Sequence, residues 1–148
     1  MSANENAVLA QKIYQFFSDD RFDEIMPLAA EDMETVLVPF GQTFRGPEGF
    51  RDFMKGFKSA FPDITINQIV SQIATDEAVV SEFTARGTHT GPLMTPMGEV
   101  PPTGRTVDFT VCEVWQIRDG KVTSLHNYQD AAGLMRHLGL LPEPAAAG

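Results

Sequence analysis

Asp119-Gly120 stands between two runs that alternate apolar and polar side chains, RTVDFTVCEVWQIR (105–118) and KVTSLHNYQD (121–130). An Asp-Gly pair between alternating strands is the strongest short-range hairpin signal, because a type I′ turn needs positive φ at both central residues. Two strands this long must bury one face, and the chain must supply the layer that covers it.

The N-terminal third supplies helices. Ser2 and Glu5 form an S-x-x-E capping box, and Val8, Leu9, Ile13, Phe16 and Phe17 follow at helical spacing. A helix is expected over about residues 3 to 18. Phe22, Ile25 and Met26 begin a short second helix closed by Pro27, and METVLVP alternates as a strand that Pro39 ends. Gly46-Pro47 opens a third helix, with Phe50, Phe53, Met54, Phe57 and Phe61 on one stripe and Pro62 beyond it. That stripe reads as core. From Ile64 the pattern turns to strand through ITINQIVSQIAT and, after Asp76-Glu77, AVVSEFTARGTHTG. GPLMTPMGEVPPTG (91–104) reads as a long loop, a lid or a contact between subunits. A last helix is expected over about residues 131 to 138, ended by Gly139, with a loosely held tail EPAAAG.

This order, helices first and then long antiparallel strands, predicts an α+β fold with helices on one face of a curved, mostly antiparallel sheet, which folds round a helix and makes a cone with an apolar pocket. At 148 residues, with no repeat and no second boundary, one domain spanning 1–148 is expected. The net charge of −9 argues against nucleic acid and anionic membrane as partners. No run is apolar enough to span a bilayer, and the opening MSANENAVLAQK lacks a signal-peptide pattern, so a cytoplasmic location is expected. Cys112 is the single cysteine and reads as a small buried hydrophobe. The histidines 89, 126 and 137 fall in different elements, so no metal is expected. The expected partner is a small apolar or aromatic metabolite. A homodimer through the sheet is expected too, because a sheet covered on one face leaves the other open.

Counting outward from Asp119-Gly120 sets Trp115 opposite Ser124, Glu113 opposite His126 and Phe109 opposite Asp130. Glu113, His126, Tyr128 and Asp130 then share the face that carries Trp115 and Phe109. Two acids and an imidazole beside large aromatics suit a cavity wall better than a plain core.

GTHTG, PPTGRTVDF, RDGKV and DAAGLMRHLG, in that order, resemble the SnoaL-like polyketide cyclases of the nuclear-transport-factor-2-like (cystatin-like) superfamily, and the N-terminal helices fit that layout. The resemblance covers essentially the whole chain. It implies a cone-shaped α+β barrel, its sheet wrapped around the N-terminal helices, with a cofactor-free pocket, a dimer, and an intramolecular aldol-type ring closure with an Asp as general acid/base. Asp130 matches that Asp by its place before GLMRHLG. His126 would polarise a carbonyl or orient Asp130; Glu113, Trp115, Tyr128, His89 and Tyr14 would line the substrate site. Each has a plainer reading. Asp130 in D-A-A-G fits a helix N-cap, His126 with Glu113 fits a satisfied structural pair, Tyr128 fits packing, and His89 fits a rim residue. A non-catalytic pocket protein that binds a small molecule is the alternative to a cyclase or a related lyase or isomerase. Limonene-type epoxide hydrolases resemble the same fold but need Arg-x-Asp on a strand, which none of the predicted strands carries. Ketosteroid isomerases use a Tyr of the first helix, as Tyr14 would be, with nothing else here in their pattern.

Overall fold

The computed structural model describes residues 2–142 and Ala145, so the expectation for the tail EPAAAG lies almost wholly outside the described residues. The first helix, α1 (Ala3–Ser18), starts at the expected capping box: Ser2 Oγ accepts from Glu5 N at 3.1 Å. Its buried face is Asn6, Leu9, Ala10, Ile13 and Tyr14. α2 (Phe22–Ile25) runs into a 3-10 turn containing Pro27, and β1 (Ala29–Leu37) begins four residues earlier than METVLVP suggests. A short strand that the sequence does not announce, β2 (Gln42–Arg45), leads into α3 (Gly46–Ala60). Gly49 is required there, because a Cβ would meet the Phe44 backbone at 2.9 Å, and its absence lets α3 lie directly on β2.

β3 (Thr65–Ala74), β4 (Ala78–Thr88), β7 (Thr106–Arg118) and β8 (Lys121–Gln129) are the long strands. The segment expected as a loop carries a small separate hairpin, β5 (Leu93–Thr95) with β6 (Gly98–Val100). α4 (Ala131–His137) closes the chain.

The main sheet has the order β2-β1-β8-β7-β4-β3, antiparallel except for the parallel β1–β8 pair. It is curved but not closed, with β2 and β3 as its edges. The inward residues of β7, Val107 to Ile117 at every second position, are all buried, with Trp115 against Tyr14 of α1 and Phe50 of α3, and Phe109 against Phe57 of α3. Asp119 and Gly120 have φ of 53° and 74°, as the type I′ turn demands.

The register beyond that turn differs from the count. Arg118 pairs with Lys121 and Ile117 with Val122, but a bulge then inserts Thr123, whose Oγ donates to Gln116 O at 3.3 Å. One extra residue reverses the face of everything after it. Trp115 therefore lies opposite Leu125, Val114 opposite His126, and Glu113 opposite Asn127.

Candidate active site

Glu113 projects from the middle of β7 to the inside of the cone and is 4% exposed. Its neighbours in register form a row across four more strands: Leu37 on β1, Asn127 on β8, Ser81 on β4 and Gln72 on β3. Asn127 Nδ2 donates to Glu113 Oε2 at 2.7 Å, and Gln129 Nε2 donates to Asn127 Oδ1 at 2.8 Å. From α1, Tyr14 brings its hydroxyl beside Ser81 and Glu113 and accepts from Trp115 Nε1 at 2.9 Å. With its lone pair engaged by the indole, the hydroxyl has its own proton left to offer the carboxyl.

Around this polar row the walls are apolar. Ile13, Phe17, Phe50, Phe53, Met54, Phe57, Ile66, Phe83 and Leu125 complete, with Tyr14, Glu113 and Trp115, a partly open cavity of about 50 Å³. Tyr14 lies 4.7 Å from Phe83 and 5.7 Å from Trp115, ring centre to ring centre. Burial dominates the electrostatics. It pushes the Glu113 carboxyl up from 4.5 to about 7, against the opposing hydrogen bonds from Asn127 and Tyr14. Burial and then the nearby Glu113 charge raise the Tyr14 hydroxyl well above its ordinary value, so Tyr14 acts as a hydrogen-bond donor and stays protonated.

Of the residues expected to form the site, the structure brings together Glu113, Trp115 and Tyr14. Asp130, His126 and Tyr128 are not with them, because the Thr123 bulge moves β8 out of the counted frame. His126 is opposite Val114 and Tyr128 opposite Cys112, on the outer face of the sheet, with Tyr128 45% exposed. Asp130 is exposed and caps α4, accepting from Gly133 N at 2.8 Å. His89 is fully buried rather than at a rim. Its Nδ1 accepts from Thr103 N at 3.1 Å, its backbone pairs with Gly104 and Arg105, and its ring lies 5.2 Å from Phe61. It clasps the two ends of the 90–104 segment together. Asn127 is the site residue that the sequence reading missed. Leu125, an apolar residue that the counted register turns outward, was the signal that could have corrected the frame. Among the described residues no cluster of three or more His, Cys, Asp or Glu has metal-binding geometry, and no helix is long and apolar enough to cross a membrane.

A helix-filled cone with an open, curved sheet is the nuclear-transport-factor-2-like fold, shared with a protein of that description from Burkholderia xenovorans at TM-score 0.73. The SnoaL-like polyketide cyclase family matches residues 7–138, and the chain belongs to that family. No curated protein matches it. AclR from Streptomyces galilaeus, a candidate hydroxylase, is 23% identical, with 98% of this chain and 91% of that one covered, at TM-score 0.82. A candidate SnoaL-like cyclase from Jannaschia sp. CCS1 is 18% identical over 95% of each chain, also at 0.82. An epoxide hydrolase of the LEH-like type from M. tuberculosis is 20% identical over 93% of this chain and 94% of that one, at 0.67. These likenesses establish the fold, and three reaction types on one scaffold mean that the fold does not choose the chemistry.

Proposed function

We propose that this chain is a cofactor-independent cyclase-like enzyme that removes a proton next to a carbonyl of an uncharged, apolar substrate, with Glu113 as the general base. The observation that carries this reading is a single fully buried carboxyl, raised to about 7, in a cavity walled mostly by aromatic and aliphatic side chains. A carboxylate with such a value is partly ionised near neutral pH and basic enough to accept a carbon-bound proton. In an aldol-type ring closure Glu113 takes the α-proton, and the enolate carbon bonds to a second carbonyl carbon of the same molecule. The resulting alkoxide takes the proton back from Glu113, so substrate and product are isomers. As Glu113 gains the α-proton it no longer needs the Tyr14 hydroxyl proton, which is then free to turn to the carbonyl oxygen where charge develops, while Asn127 holds the carboxyl in place. This assigns to Glu113 the role that the family resemblance suggests for Asp130.

The test is α-proton exchange of butanone in D2O, followed by NMR. Glu113→Gln keeps the volume but cannot accept the proton, and a lost general base costs about 10² to 10⁴ in rate. Exchange at the parent rate in that variant removes the proposal. One observation favours a second reading, a binding protein without turnover: a cavity of about 50 Å³ is below the ~300 Å³ of an ordinary ligand site. A butanone that saturates the protein yet exchanges no faster than in buffer supports it.

The outer face of the sheet suits a homodimer. Ile73, Val80, Cys112 and Tyr128 line a shallow groove there, with Ile73 66% exposed. Sedimentation at micromolar concentration should give twice the 16.3 kDa chain mass, and a monomer sinks the idea.

A further inference from the structure

Beside the inner cavity lies a larger apolar cleft of about 380 Å³, bounded by Leu37, Phe40 and Phe44 on one side and roofed by Pro92, Leu93 and Met94 of the β5–β6 segment. The two spaces share two walls, Phe53 and Phe57. Phe53 is buried, stacked near Phe50 at 6.4 Å and edge-on to Phe44 at 5.9 Å, so it is held from both sides. Phe57 is only half-buried, one helical turn further along α3, and touches Phe53 at 5.5 Å and Phe109 at 6.3 Å by ring edges. A half-buried ring on a helix changes rotamer far more readily than a packed one. The roof is tied down at its stem, where Thr90 N and Gly91 N both donate to Ala60 O at 3.1 Å, so the movable wall is the ring and not the hairpin.

We propose that Phe57 is a gate and a specificity-determining residue: when its ring swings aside, the inner cavity and the outer cleft become one two-part site. The substrate class is then an uncharged ketone with two apolar parts, its carbonyl end beside Glu113 and Tyr14 and its second ring or tail under Leu93 and Met94. Neither space is lined by Lys, Arg or His, and the charged wall residues are Glu113 within and Asp52 in the cleft, so carboxylates and phosphates find no counter-charge. The joined space reaches the size of an ordinary small-molecule pocket, which the inner cavity alone does not. This inference rests on the Glu113 site as the reacting end, but its test does not need turnover.

Trp115 is the single tryptophan and lines the inner cavity, so its fluorescence reports entry. The probe is 2-acetylnaphthalene, a neutral two-ring ketone, titrated into the full chain. Phe57→Ala opens the gate and should lower the half-quenching concentration about tenfold or more, with a matching rise in quenching of Trp115 by acrylamide. Gly56→Leu fills the outer cleft alone, since Gly56 lines it and a Cβ there meets nothing within 4 Å. It should weaken the naphthyl ketone about tenfold. Where Phe57→Ala does not fold, Phe57→Leu keeps an apolar contact to Phe53 and Phe109 and removes only the ring. Equal quenching in the parent, Phe57→Ala or Phe57→Leu, and Gly56→Leu overturns the gate and places the entrance elsewhere. If Glu113→Gln stops butanone exchange while the three binding curves coincide, the gate fails and the base stands. If the curves separate as stated while Glu113→Gln exchanges normally, the gate stands and the base fails.

Discussion

Glu113 ties the stability of the fold to pH in a direction opposite to that of most carboxylates. Burial raises its carboxyl from 4.5 to about 7, so the folded chain holds a proton that the unfolded chain releases. Stability from this group is present in full below 4.5, falls as pH rises toward 7, and is level above that. Two and a half units at ~1.4 kcal/mol each make the loss about 3 kcal/mol. The perturbation is Glu113→Gln, which is neutral at every pH and keeps an acceptor for Asn127 Nδ2. Urea unfolding of parent and variant from pH 4.5 to 8.5, read by Trp115 fluorescence, gives the difference between the two stabilities, in which contributions from other titrating groups cancel. That difference should shift by about 3 kcal/mol in favour of the variant across the range and flatten near pH 7.5. At high pH the variant should be the more stable of the two, even after ~1 kcal/mol for an imperfect hydrogen bond. A difference that stays constant with pH would refute the reasoning, because Glu113 would then titrate alike in both states.

His89 should act in the opposite sense: burial lowers its folded-state value from 6.5, so stability is full above 6.5 and is lost as pH falls from there to the lowered folded value, and His89→Gln should flatten that limb in the same urea series. Gly91→Ala would drive a Cβ into the Ser59 carbonyl oxygen, so the hairpin stem must leave α3, at a cost of about 3 kcal/mol or more and a drop in Tm of several degrees by calorimetry. Asp130→Ala should cost about 1 kcal/mol through the lost N-cap of α4, and Asp130→Asn much less. Butanone exchange by Asp130→Asn at the parent rate beside a dead Glu113→Gln would separate the two carboxylates, and the reverse result would return the base to Asp130.

Helices with caps and stripes were legible because their signals are local and redundant: Ser2 with Glu5, Pro47 at the start of α3, and Phe50, Phe53, Met54 at helical spacing. The β7–β8 turn was legible for the same reason. β2 was not, since four residues are too few to show a period. β5 and β6 are three residues each, inside a segment whose Gly and Pro content speaks for a loop. The site was half legible. Glu113 and Trp115 lie on β7, whose alternation is unbroken, and Tyr14 is on the buried stripe of α1. On β8 one bulged residue, Thr123, is marked only indirectly, by the outward turn that the counted register gives to apolar Leu125, and it decides whether His126 or Asn127 meets Glu113.

The parallel pairing of β1 with β8 also governs the order in which the chain can assemble. The last strand made lies in the interior of the sheet, between the first strand and β7, so the two halves β2-β1 and β7-β4-β3 have no shared ladder until residue 129 has left the ribosome. Contacts of such long sequence separation close late and slowly. Throughout that interval β1 and β7 each present an open edge, and a nascent neighbour can pair with either one before β8 arrives. Chains stopped at Arg118 should therefore accumulate as aggregates rather than as folded fragments.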